Sequence, residues 1–346
     1  MRYDHQFRTK GFHSALFSTF SFDPMIWENV VLMTLKSAGC RNIAILGDAR
    51  MISQSFEDIG VPMHAGQSYH LAKRNLSSGC FHPKIVAQFG TETGRLMVGS
   101  ANLTSSGLLG NLEAIASLTY SADTPETAPV FAASLAYISS HSDPKDGGMN
   151  LFNKQLYRLT PWLKNVEAAD VIDTDDGGRI GMLSDKPDAP IAGQFVREIG
   201  SDHIERMIVV SAFWDQDLRG LEALRDQLNH PETILIPDLS EQDFTSDIVQ
   251  KLKYLKVCSP EELGVSKERK LHAKVILCYG KEANYVLTGS MNASYAGLWG
   301  CPDPKNGGTG NAEAAIFKKI PHGAQADDLL DEMEKCLGTS FPLEAF

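Results

Sequence analysis

The chain has 346 residues, 43% of them hydrophobic, with a formal net charge of −11 at pH 7. That length can bury a substantial core, as two ordinary domains or one duplicated one. The acidic balance excludes indiscriminate coating of a nucleic-acid backbone, where Lys and Arg must meet the phosphates, but it leaves a local basic site open.

Ala15 to Asp23 reads as a strand ending in a loop, followed by a helical stretch from Pro24 to Ala38 and a strand from Asn42 to Leu46 that ends at Asp48. Strands Ile85 to Phe89 and Leu96 to Val98 come next, then helices over Thr124 to His141 and Asn150 to Leu163. Asp173 to Gly178 reads as a turn, because the remaining spacing of a calcium loop is missing. The order then repeats: strand Met207 to Asp215, helix Asp217 to Leu228, strand Thr233 to Ile236 ending at Asp238, and strands Val275 to Tyr279 and Tyr285 to Thr288. The fold class expected is α/β, with each half an α/β/α layer and functional side chains gathered at strand ends. The halves are taken as residues 1–170 and 171–346. No apolar run approaches the roughly 18 residues of a spanning helix. The start, Met1-Arg2-Tyr3-Asp4-His5, lacks a basic then apolar layout, so a cytoplasmic location without a membrane partner is expected. Cys40, Cys80, Cys258, Cys278, Cys301 and Cys336 show no CxxC pairing and read as reduced packing residues.

The repeat carries the chemistry. His82-Pro83-Lys84 with Gly99-Ser100-Ala101-Asn102 recurs as His272-Ala273-Lys274 with Gly289-Ser290-Met291-Asn292, and the asparagine lies 20 residues beyond its histidine in both. Segments 82–110 and 272–300 align without a gap, with ten of 29 positions identical. Chance would place the five specified residue types at about one start position in a million or fewer. Asp48 and Asp238 each precede the histidine by 34 residues, at strand ends where they either line a cleft or cap the next segment of chain. Asn111-Leu112-Glu113-Ala114 and Asn311-Ala312-Glu313-Ala314 form another matched pair, the second displaced by a Gly- and Pro-containing insertion over Cys301 to Gly310. That insertion is either a substrate-contacting loop or a surface elaboration. Positive charge clusters before both motifs, as Lys73 and Arg74, and as Lys267, Arg269 and Lys270. Glu92 and Glu282, at strand turns, are expected to be solvated. His5, His13, His64, His70, His141, His203, His230 and His322 read as structural because nothing around them recurs.

This pattern resembles the phospholipase D superfamily signature, His-x-Lys followed by Gly-Ser-x-Asn, in which two copies build one phosphodiester-cleaving site. The family's aspartate seven residues after the histidine is Phe89 or Tyr279 here, which weakens a lipase reading more than a catalytic one. Glu113 and Glu313 resemble the glutamate that orients the histidine in the superfamily's small nucleases. The resemblance implies a duplicated α/β/α sandwich with a pseudo-twofold axis and one site at the interface of its halves, with neither cofactor nor metal.

Its site residues would be His82, Lys84, Ser100, Asn102, Glu113, His272, Lys274, Ser290, Asn292 and Glu313. One imidazole would attack phosphorus, with His82 favoured by likeness to two-motif relatives, while the other protonates the leaving oxygen. Lysines, serines and asparagines would hold the phosphate oxygens, and each glutamate would fix an imidazole tautomer. The activity expected is a metal-independent nuclease, on DNA ahead of RNA. A phospholipase or phosphatidyl transferase, and a non-catalytic nucleic-acid-binding subunit, are the alternatives. Phe17 to Pro24 also loosely resembles two-motif proteins of bacterial antiviral defence, which work beside an ATPase or helicase; such a partner, or a second copy of the chain, is compatible with this sequence.

Overall fold

Strand β1 (Phe12–Thr19) has no exposed residue, as a near-continuous apolar strand must when a sheet is covered on both faces. Its neighbours are β2 (Asn42–Asp48), parallel, and β4 (Ile85–Gly90), antiparallel. With β3 (His70–Arg74), β5 (Gly94–Gly99) and β6 (Ile115–Tyr120) they form a six-stranded sheet of order β3-β2-β1-β4-β5-β6. In this computed structural model residues 3–186, 188–238, 240, 243–260, 269–300 and 310–322 are described. Lys267, Cys301, Cys336 and the insertion before Gly310 lie outside them.

Helices cover both faces of this sheet. On one, α1 (Pro24–Ile26), a π-helical stretch (Trp27–Leu32) and α2 (Met33–Ser37) run on from each other and bury Trp27, Val31, Leu32 and Leu35 with Ile52 of α3 (Ala49–Asp58). Asp23 caps the run by accepting from the Met25 and Ile26 amides, with Pro24 at the first position, where its missing N–H costs nothing. Strand β1 ends at Thr19, and the loop expected after it runs on to that cap. On the other face α4 (Ala128–His141) and α5 (Gly147–Leu159) bury Phe131, Leu135, Ile138, Met149, Phe152 and Leu156. Pro161 stops α5 before the expected Leu163, because its preceding residue is driven out of the helical region.

A second sheet has the order β11-β10-β9-β12-β13-β14-β8-β7. Its strands are β7 (Val171–Asp173), β8 (Arg179–Ser184), β9 (Ile204–Ser211), β10 (Glu232–Pro237), β11 (Leu255–Val257), β12 (Val275–Gly280), β13 (Ala283–Gly289) and β14 (Ala314–Pro321). From β11 to β14 it repeats the first sheet's order and strand directions. The hairpin β7–β8 extends it beyond β14, and the acidic segment Asp173 to Gly178 is the tight turn of that hairpin, closed by Asp176 accepting the Gly178 amide. Ile191, Phe195 and Ile199 of α6 (Ile191–Ile199) and Leu221 and Leu224 of α7 (Arg219–Gln227) fill one core against this sheet. The short α8 (Ser246–Lys251) and α9 (Tyr295–Leu298) lie at the same core. Met182 of β8 and Ile316 of β14 join the α4–α5 core, so one apolar cluster takes in both sheets. Among the described residues, no helix is long and apolar enough to cross a membrane.

Candidate active site

Both histidines sit just before a central strand, β4 or β12, and each is placed by the other half of the chain. The His82 amide donates to the Ala312 carbonyl at 3.0 Å and the Ala312 amide to Cys80 at 3.0 Å. Reciprocally, the His272 amide donates to Leu112 at 2.9 Å and the Leu112 amide to Lys270 at 2.8 Å. One residue earlier, the Phe81 amide donates to Asp48 and the Leu271 amide to Asp238, both at 2.9 Å. The two aspartates, read from sequence as lining or capping, therefore anchor the segments that carry the histidines. Asp48 also caps α3.

The side chains cross as well. His82 Nδ1 donates to Glu313 at 2.9 Å, and His272 Nδ1 to Glu113 at 2.9 Å. Each carboxylate is itself held: Ser290 donates to Glu313 and Ser100 to Glu113, while Asn311 and Asn111 donate to the same two groups at 3.1 and 3.2 Å. With Nδ1 carrying the proton, Nε2 of either ring is the nitrogen left for chemistry. The local turns make this possible because Gly99 and Gly289 lie against the next strand; a Cβ on them would come within 2.4 Å of the Ala114 oxygen and 2.2 Å of the Ala314 oxygen.

The structure thus gathers His82, Lys84, Ser100, Glu113, His272, Lys274, Ser290 and Glu313 into one cluster, and it alters part of the expected wiring. The serine hydroxyls, expected at phosphate oxygens, are engaged by the glutamates. Asn102 Oδ1 accepts the Ser21 amide at 3.2 Å, whereas the buried Asn292 Oδ1 has no partner among the described residues. Asn111 and Asn311 were visible in the repeat but were given no role; their positions two residues before each glutamate were the available signal.

Burial decides the electrostatics. His82, Lys84, Lys274 and Glu313 are almost wholly enclosed. Desolvation pushes the His82 imidazole down to about 4 against the opposing pull of Glu313, and it lowers His272 too, where Glu113 opposes. Burial lowers Lys84 to about 8 and Lys274 to about 7, the latter helped by repulsion from Lys84. Burial also pushes both glutamates up, but the bonded histidines and the lysines outweigh it and hold the carboxyls below their usual range. Two enclosed ammonium groups that repel each other, beside two imidazoles whose Nε2 atoms have no hydrogen-bond partner among the described residues, form a site suited to an anion with an electrophilic centre.

No family model and no curated protein matches the sequence. Solved structures match it in fold. A mutant of yeast tyrosyl-DNA phosphodiesterase aligns over 91% of this chain and 83% of its own, with a TM-score of 0.55 and 11% identity. Polyphosphate kinase from Porphyromonas gingivalis aligns over 96% of this chain with a TM-score of 0.53 and 8% identity, and this chain spans 44% of that enzyme. Nuc from Salmonella typhimurium, a phospholipase D family member, aligns over 46% of this chain with a TM-score of 0.29 and 16% identity, too low a score to bear on the fold. The α/β fold of this chain is thus similar to that of the yeast phosphodiesterase and of the polyphosphate kinase.

Proposed function

We propose that this protein is a phosphodiesterase of the nuclease kind, cleaving DNA in preference to RNA at one site assembled from both motifs. The observation that carries the proposal is the crossed pair His82–Glu313 and His272–Glu113 around two buried lysines. His82, its imidazole pushed down by burial, stays unprotonated at neutral pH and is the nucleophile. Its Nε2 attacks phosphorus as the bond to the leaving oxygen breaks, and His272, entering the step as the imidazolium with a proton on each ring nitrogen, gives its Nε2 proton to that oxygen. His272 then takes a proton from water, whose oxygen attacks the phosphohistidine and restores His82. Lys84 and Lys274 hold the non-bridging oxygens, where a phosphodiester's negative charge relieves their repulsion. Glu313 and Glu113 keep each Nδ1 protonated, the orienting role that a buried carboxylate plays beside an imidazole.

The yeast phosphodiesterase, named for a DNA substrate, supports a nucleic-acid diester over a lipid. The acidic chain leaves a place in this proposal for an ATPase or helicase partner that delivers substrate, as in antiviral defence. The test is a panel of labelled single-stranded DNA, duplex DNA, RNA and phosphatidylcholine, offered to EDTA-treated protein. Cleavage of DNA that His82→Ala abolishes is expected; turnover of lipid alone would overturn the proposal.

A further inference from the structure

Two aromatic rings flank the site, one beside each histidine. Phe20 lies 5.0 Å from the His82 ring, centroid to centroid, at an interplanar angle of 63°. Phe213 lies 6.4 Å from His272 at 83°. Both meet the imidazole edge to face, and both keep partial exposure beside a site whose ionic groups are enclosed. Each also has an ammonium over its ring, Lys84 at 5.6 Å from the Phe20 centroid and Lys270 at 5.7 Å from that of Phe213, within cation–π range.

The rings do not occupy the same place in the repeat. The hydroxyl of Thr19 bonds Ser21 and accepts the Leu103 amide, just as Ser211 bonds Phe213 and accepts the Ala293 amide, which makes Thr19 the counterpart of Ser211. Phe20 therefore corresponds to Ala212, and Phe213 to Ser21. The aromatic reaches each histidine from a different register, so copying one half onto the other does not account for the pair. A core position does not account for it either, because both rings keep exposed surface.

We infer that Phe20 and Phe213 are stacking platforms for the two bases that flank the scissile phosphate, which makes single-stranded polynucleotide the substrate class of this site. The inference rests on the nuclease reading above. A phosphodiester held by Lys84 and Lys274 between the histidines carries one substituent toward each ring. A polynucleotide has a flat, polarisable group on both sides of its diester, which a phospholipid lacks. In a duplex those bases are already stacked and paired, so reaching the rings requires opening it. Stacking of a base on an aromatic side chain contributes about 1–3 kcal/mol, which is roughly five- to 150-fold in affinity.

The test is a cycle of protein and substrate changes, using single-stranded oligonucleotides with one cleavable phosphodiester and an abasic spacer on its 5′ side, its 3′ side or neither. With wild-type protein, a spacer on either side is expected to lower kcat/KM about tenfold or more, mainly through KM. Phe20→Leu should cost the same factor on the intact strand and make the protein indifferent to one of the spacers. Phe213→Leu should do so for the other, while Phe20→Trp and Phe213→Trp retain discrimination. Wild-type indifference to the spacers, or leucine variants that lose equally on intact and abasic strands, would mean that the rings merely buttress the imidazoles. Either result overturns this inference and leaves the nuclease reading standing. Turnover of methyl p-nitrophenyl phosphate without cleavage of any polynucleotide would end both.

Discussion

Lys274→Met should stabilise this protein near neutral pH while abolishing its turnover. The Lys274 ammonium is 1% exposed, and burial together with Lys84 brings it from 10.5 to about 7. A lowering of about 3.5 units at about 1.36 kcal/mol each is a folding cost on the order of 5 kcal/mol. Between pH 7 and 10.5 the unfolded lysine is charged and the folded one is not, so the unfolded state binds more protons and stability rises with pH. The cost is fully present below pH 7 and gone above 10.5. Methionine removes the cation but also the bond from Lys274 Nζ to the His272 carbonyl at 2.7 Å, and leaving that acceptor unpaired costs about 1–3 kcal/mol. The variant should therefore be more stable than wild type by a few kcal/mol at pH 7 and less stable at pH 10, as read from denaturant midpoints at both values. Orthovanadate, an anion that resembles phosphate, should raise the wild-type midpoint at pH 7 and leave the variant's almost unmoved, since it binds the folded site alone. A variant equally destabilised at both pH values would refute the reasoning, because Lys274 would then be an ordinary packed side chain.

His82→Ala and His272→Ala should each lower kcat by about a thousandfold or more on DNA, and the double variant should lose little beyond either, because a cooperating set fails as a unit. Glu313→Gln should couple in a double-mutant cycle to His82→Ala, and Glu113→Gln to His272→Ala; strong coupling within a half instead would contradict the crossed hydrogen bonds. The pH profile of kcat/KM should fall on the acid side toward pH 4, as His82 takes up a proton, and on the alkaline side first as His272, lowered by burial, loses the proton it donates, then above about pH 7 and about pH 8 as Lys274 and Lys84 lose theirs. Lys274→Arg, permanently charged, should remove the Lys274 part of the alkaline fall and leave the parts due to His272 and Lys84. Asp48→Ala and Asp238→Ala, which free the Phe81 and Leu271 amides, should each destabilise the fold by about 1–3 kcal/mol in denaturant titrations.

Much of this architecture is legible in the sequence because duplication writes local order twice. The strands around His82 and His272 are short apolar runs bounded by turns, and their matched spacing exposes the motif. Spacing does not convey which chain segment meets which. That Glu313 serves His82, rather than the glutamate of its own repeat, comes from the backbone exchange between Phe81 and Ala312 and between Leu112 and Leu271. The edge strands β3 and β11 went unread because five and three residues are too few to show a period. Hairpin β7–β8 carries no repeat signal, since the first sheet has no counterpart to it. Phe20 and Phe213 escaped notice for a related reason: their registers differ, so aligning the halves hides the correspondence that space restores.

The most direct test of a single shared site is to count covalent intermediates. A nucleoside p-nitrophenyl phosphate, labelled with ³²P, has a leaving group that needs no acid, so His272→Ala protein should still form the intermediate but fail to hydrolyse it. The account predicts a burst of one p-nitrophenolate per chain and one acid-labile label per chain, mapped to His82. Two labels per chain, or a label on neither histidine of the repeat, would contradict it.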